Sequence, residues 1–174
     1  DTERAMTDGF TPLCIASQEG HLPIVCELLD RGADIERSAD TGTTPLFHAC
    51  KRGRLDVVHE LLRRGADIDQ ATIGGLDPVA ACCFHVHMPV LRCLLVEGAS
   101  GNSTTAGSEM LSFAARDHPQ LSRWLGECVG WNRLQHACEA RREDLVRPML
   151  RDDSLAATTS RAALLGACGE RGWP

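Results

Sequence analysis

Apolar residues recur at helical spacing in short runs, which are separated by polar residues, glycines and prolines. One run has apolar side chains at i, i+3 and i+4, which predicts an amphipathic helix: Leu55, Val57, Val58, Leu61 and Leu62. The run before it contains Leu46 and the small residues Ala49 and Cys50, which would let a neighbouring backbone come close. The pattern therefore predicts pairs of short helices joined by tight turns.

Cap and turn residues mark where these helices begin and end. Thr44 can accept hydrogen bonds from N–H groups of the first turn, and Pro45 suits the first helical position, where no N–H is needed. Gly53 and Gly65 follow the two helices and suit the left-handed conformation that ends a helix. One unit thus comprises two helices and a polar loop that leads to the next cap.

The unit repeats with a period of 33 residues. Thr-Pro-Leu at 11–13 recurs at 44–46, and Gly-Ala-Asp-Ile at 32–35 recurs at 65–68. Two helices of this length cannot bury their apolar faces alone, and such short helices are unstable when isolated in water. The units must therefore stack on one another.

The period, the Thr-Pro-Leu and Gly-Ala-Asp motifs and the glycines resemble the ankyrin repeat. The resemblance implies an all-α fold, an ankyrin-repeat solenoid of about five helix-turn-helix units with short β-hairpin loops. Residues 1–102 carry well-formed repeats, in units near 8–40, 41–73 and 74–102. Residues 103–174 carry degenerate repeats, in units near 107–129 and 130–153 and a partial unit near 161–174.

The chain departs from the family pattern at several positions. The usual His after Thr-Pro-Leu is replaced by Cys14, Phe47 and Ala80 in the first three units. In the third unit Asp77 replaces Thr at the cap position, and its side chain can still cap the helix. Val86 stands where the turn glycine is expected. Both ends of the sequence fall inside a unit, so we expect a longer natural protein with at least one more repeat upstream.

Composition and charge exclude several classes of function. Asp and Glu number 24 against 18 Lys and Arg, a net charge of -6, which disfavours nucleic-acid binding because phosphate contacts need clustered positive charge. No apolar run is long enough for a membrane span, and no signal peptide is evident. Nine cysteines without an export signal indicate a reducing compartment. We expect a cytoplasmic protein, with the nucleus as the alternative.

The stretch around residue 82 is the strongest candidate for metal or redox chemistry. Cys82, Cys83, His85 and His87 have spacings that could share a helix face, and this leaves a Cys/His metal or redox sensor as an alternative. The repeat register favours a packing role instead, because Cys50 and Cys83 occupy the same position after a first-helix small residue. We therefore expect no metal and no cofactor.

No catalytic arrangement is evident, and the chain is predicted not to be an enzyme. Asp34, Asp67 and Asp69 recur with the repeat at corners where Asp satisfies local backbone donors, so they are interpreted as turn residues. The resemblance instead implies a monomeric adaptor that binds another protein or peptide on the concave face of the stack. A substrate-recruiting region of a larger enzyme is the remaining alternative.

The candidate partner-binding residues lie in the first helices and at the hairpin tips, where residues vary between units while the framework repeats. They are Phe10, Gln18, Glu19, Asp40, Thr41, Thr43, Lys51, Arg52, Ile73, Leu76, Phe84 and His85. Four residues share the position before the cap: Phe10, Thr43, Leu76 and Trp131. They could form an exposed apolar strip or shield the neighbouring hairpin, and the sequence favours neither interpretation.

Overall fold

A computed structural model describes residues 8–99 of the 174-residue chain, and within this range every regular element is an α-helix. The six helices are α1 (Pro12–Glu19), α2 (Leu22–Asp30), α3 (Pro45–Lys51), α4 (Leu55–Arg63), α5 (Pro78–His85) and α6 (Met88–Glu97). They form three consecutive pairs, each with a short first helix and a tight turn to the second. The predicted all-α fold of helix-turn-helix units is thus confirmed for the described part.

Each first helix begins at the predicted cap. The side-chain oxygens of Thr11 and Thr44 each accept a hydrogen bond from a backbone N–H three residues on, at 3.2 Å, and a proline follows at the first helical position. Asp77 replaces Thr at the third cap and accepts from the N–H of Ala80 at 2.7 Å. The prediction that Asp77 serves as a cap is therefore confirmed.

The turn between the paired helices requires a left-handed backbone. Gly20 and Gly53 have φ angles of 81° and 69°, and Val86 adopts φ 57° at the same repeat position. A Cβ on Gly53 would lie 2.6 Å from the Nδ1 atom of His87, so the turn also needs the absence of a side chain. The His87 Nε2 atom lies 3.1 Å from the Lys51 carbonyl oxygen and ties the third unit to this turn.

The helices form two layers. α3 packs between α1 and α5 in one layer, which we call the inner layer, and α4 packs between α2 and α6 in the other, the outer layer. Residues at matching repeat positions fill the space between the layers, including the fully buried Val25, Val58 and Leu91. The apolar stripe predicted for the second helix of each unit is therefore the core side of the outer layer.

The loops between units are hydrogen-bonded turns of hairpin type, and residues 8–99 contain no assigned strand. The Ala39 N–H donates to the Thr43 carbonyl at 3.0 Å, and the Ile73 N–H donates to the carbonyl of Thr41, in the preceding tip, at 3.1 Å. Asp34 and Asp67 accept from N–H groups two residues on at 3.0 Å, as expected for turn residues. The hairpin tips are thus joined to one another in series.

The three helix pairs fall within the predicted units near 8–40, 41–73 and 74–102. The exact unit boundaries and the total of about five units stay predictions. The degenerate units near 107–129, 130–153 and 161–174 lie outside the described residues. Among the helices of residues 8–99, none has the length and apolar content needed to cross a membrane.

Candidate functional site

The ends of the inner helices carry the residues that vary most between units. Gln18, Lys51 and Phe84 occupy one repeat position, and Glu19, Arg52 and His85 occupy the next. All of these side chains except half-buried Gln18 are exposed. The repeat therefore presents a row of chemically different side chains on a constant framework.

A groove of about 150 Å³ lies between α3 and α5 on this inner layer. Its lining comprises Phe47, Lys51, Leu76, Ala80, Ala81, Phe84 and His85. Four of these, Lys51, Leu76, Phe84 and His85, are among the predicted partner-binding residues. The fold brings these four together from two helices and the hairpin tip that precedes α5.

The groove opens where it does because the third unit has small residues at two inner positions. Ala80 and Ala81 stand at the repeat positions of Phe47 and His48, which are large and buried. Sequence reasoning treated these positions as framework and so missed Phe47, Ala80 and Ala81 as lining residues. The drop in side-chain size between matched positions was the signal that could have found them.

The predicted residues of the first two hairpin tips brace the loops instead of lining the groove. The half-buried Phe10 ring lies with its centroid 4.8 Å from that of the His48 ring. The Thr43 hydroxyl lies 3.0 Å from the His48 Nε2 atom and 2.9 Å from the Thr41 hydroxyl. At Phe10 the packing therefore supports the shielding interpretation over an exposed apolar strip.

The remaining candidates lie apart from the groove lining. The Gln18 amide donates to the Glu19 carboxylate at 3.0 Å, at the end of α1. Asp40 is exposed at its hairpin tip, where its N–H donates to the Asp8 carbonyl at 3.2 Å. Ile73, at the next tip, is 81% exposed, which is unusual for a large aliphatic side chain.

Two histidines near the groove have lowered pKa values. Burial, reinforced by Lys51 and then Arg52, lowers the pKa of His48 to about 4, so the ring is neutral at pH 7. Desolvation also lowers the pKa of His85, followed by the effects of Lys51, His87 and Arg52. The positive charge on this face therefore comes from Lys51 and Arg52 and not from the histidines.

The Cys and His side chains around residue 82 do not converge on a common point. Cys82 and Cys83 are at most 1% exposed, and the Cys82 Sγ atom faces the Cys50 carbonyl at 3.8 Å. Burial raises the pKa of the Cys83 thiol to about 12, which keeps it protonated and unreactive. Within residues 8–99, no three His, Cys, Asp or Glu side chains form a group suited to a metal ion. These observations support the packing interpretation of the cysteines.

The paired, stacked helices define a helical repeat protein. Residues 1–72 match the family model described as ankyrin repeats (3 copies), which agrees with the 33-residue period and the Thr-Pro-Leu caps. Residues 1–72 are therefore ankyrin repeats, as the motifs predicted. Among curated proteins, none matches the chain.

Proposed function

We propose that this chain is an adaptor that binds a partner protein or peptide on the inner layer, along α1, α3 and α5 and the hairpin tips. Ankyrin repeats are in general protein–protein interaction modules. The observation that carries the proposal is the groove between α3 and α5, in which apolar side chains and a lysine share one opening. Such a mixture is typical of the centre and edge of a protein interface.

The charges of the two layers support this choice of face. On the outer layer, Arg31, Arg63 and Arg64 form ion pairs with acidic side chains of the chain itself. On the inner layer, the exposed Lys51 and Arg52 have no acidic partner within the described residues. Cations that are not neutralised internally are available to a partner, and they direct its approach as well as its orientation.

We further infer that the protein is monomeric, resides in the cytoplasm or nucleus and does not act on nucleic acid. The binding role needs no catalytic group, so we propose no enzymatic activity. The described residues contain no observation that favours a metal or redox sensor, or the recruiting region of an enzyme, over the adaptor.

The face can be tested by reversing charge on one layer at a time. The full chain is immobilised and proteins captured from native lysate are compared for the wild type and the double variant K51E/R52E. A matched double variant on the outer layer, R31E/R63E, makes the same change in net charge. We expect K51E/R52E to capture at least tenfold less of the specifically bound protein than the wild type does. Its thermal unfolding midpoint should stay close to that of the wild type.

The outer-layer variant should capture as the wild type does. Equal losses in the two variants would show that net charge, not the inner face, governs capture. Unchanged capture by K51E/R52E would remove the two residues from the binding face.

A further inference from the structure

We propose that the groove between α3 and α5 accepts one large apolar side chain of a peptide segment whose neighbouring residues are acidic. This inference rests on the proposed function and names the chemistry of the partner at that site. The groove is lined by the seven residues given above, and none of them is acidic.

The size of the groove matches a single side chain. Its volume is about 150 Å³. A cavity of about 150 Å³ lined by apolar side chains is large enough to hold benzene. The opening is therefore large enough for one ring or one branched aliphatic side chain. Phe84, which is 42% exposed, provides apolar surface that such a side chain would cover.

The position of the groove is set by the repeat. Buried Ala80 and Ala81 form its floor, whereas the same positions beside α1 hold Phe47 and His48. The preceding unit therefore has two large side chains where the third unit has the floor of the groove. A peptide lying along the inner layer has a defined register, because its apolar anchor fits between α3 and α5.

Charge decides what flanks the anchor. Lys51 lines the groove, and Arg52 is the next residue in the chain. Neither side chain has an acidic partner within residues 8–99. At the repeat position of Arg52, the first unit has Glu19, so the row changes sign from the first unit to the second. A carboxylate would be attracted to the second unit and repelled from the first. An acidic residue beside the anchor is therefore favoured over a basic one.

The proposal can be tested with a library of random 12-residue peptides displayed on phage and selected against the full chain. We expect enrichment of sequences with a Leu, Ile, Met or Phe next to Asp or Glu. The most enriched sequence is then synthesised, and its affinity for purified variants is measured by fluorescence polarisation. Binding should weaken as salt rises, because the flanking charges are exposed.

Two variants examine the groove itself, and a third serves as the control. A81H introduces the residue that the preceding unit carries at this position and fills the floor, and we expect at least a tenfold loss of affinity. If A81H lowers the stability of the protein, F84A provides an independent test, because it removes an exposed wall of the groove. We expect F84A to lower the affinity at least fivefold. Q70H adds the same side chain at an exposed site outside the groove and should bind as the wild type does.

The charge requirement is tested by repeating the selection with K51E/R52E. The acidic preference should vanish or become a basic one. Peptides that bind the groove without acidic flanking residues would overturn this inference but leave the proposed function intact. Binding that is insensitive to both A81H and F84A would place the peptide elsewhere and also overturn the inference. Failure to select any peptide that competes for the inner face would contradict the proposed function itself.

Discussion

The first and second helix pairs have nearly the same residue pattern, yet they bury it to different extents. Ile24 in α2 is 51% exposed, whereas Val57 at the same position of α4 is 1% exposed. Ile15 in α1 is 40% exposed, and its counterpart His48 is 4% exposed despite being polar. The second pair has a neighbouring pair on each side in residues 8–99, whereas the first has one. Burial in this fold is therefore decided by what lies next to a unit as much as by the unit's own residues.

The same contrast holds for charged residues of the outer layer. Glu27 in the first pair forms one ion pair with Arg31, and both side chains are more than half exposed. Glu60 at the matched position accepts from both Arg63 and Arg64, and Arg64 also reaches Asp30 of the first pair at 2.6 Å. Arg64 thus forms an ion pair between units that Arg31, at the matched position, does not form within residues 8–99.

The largest expected effect compares two glycines of the second unit. Gly53 and Gly65 both have positive φ, at 69° and 93°. A Cβ on Gly53 would lie within 3.0 Å of the His87 ring, whereas a Cβ on Gly65 would meet no atom within 4 Å. G65A should lower the free energy of unfolding by about 1 kcal/mol from backbone strain alone. G53A adds steric overlap and should lose about 3 kcal/mol.

Urea unfolding of the two glycine variants measures the difference directly. Equal losses of unfolding free energy would mean that the overlap between the new Cβ of G53A and the His87 ring is relieved at no cost. In that case the turn would be constrained by its backbone conformation only.

The next effect compares Val57 with Ile24. V57A removes two carbons from a fully buried site, and burial and cavity costs together predict a loss of about 2 kcal/mol. I24A removes three carbons but from a half-exposed site, so the loss should stay below about 1 kcal/mol. The smaller deletion is thus expected to cost more, as measured by denaturant unfolding. The reverse order would show that Ile24 is covered in solution.

The smallest effect concerns pH and the Glu60 ion pairs. Hydrogen bonds from Arg63 and then Arg64 lower the pKa of Glu60 from 4.5 to about 2. The unfolded chain therefore takes up this proton more readily, and the stabilisation is present above pH 4.5 and lost as the pH falls towards 2. The effect is modest because Arg63 is exposed to solvent and salt screens its attraction for Glu60.

Thermal unfolding between pH 5 and pH 2 tests this assignment. The midpoint of E60Q should fall less steeply over that range than the midpoint of the wild type. A wild-type slope in E60Q would mean that other carboxyl groups dominate the acid response.

The sequence alone predicted most of the fold. Caps at Thr11, Thr44 and Asp77 were read from residue type and spacing, because a cap is a local interaction that needs only a side-chain oxygen and nearby N–H groups. The stacking of helix pairs was also predicted, because helices this short cannot bury their apolar faces alone. The role of Phe10 stayed open, because its ring contact is with His48 of the next unit, 38 positions along the chain.

The candidate site was predicted only in part. Variable surface positions pointed to Lys51, Leu76, Phe84 and His85, which line the groove together. The floor at Ala80 and Ala81 was missed, since an alanine in a helix is unremarkable until its counterpart is known to be large. Candidates such as Gln18 and Asp40 share the layer but not the groove, and only the tertiary structure distinguishes residues that line the groove from those that do not.

The amino-acid order by itself determined where helices begin and end, the period of 33 residues and the need for units to stack. These features depend on hydrogen bonds and apolar spacing within a few turns of chain. Tertiary structure alone decided which apolar positions were covered, where the groove opened and which arginines were neutralised. Those outcomes depend on residues from different units meeting in space, and no local pattern specifies the volume left between them.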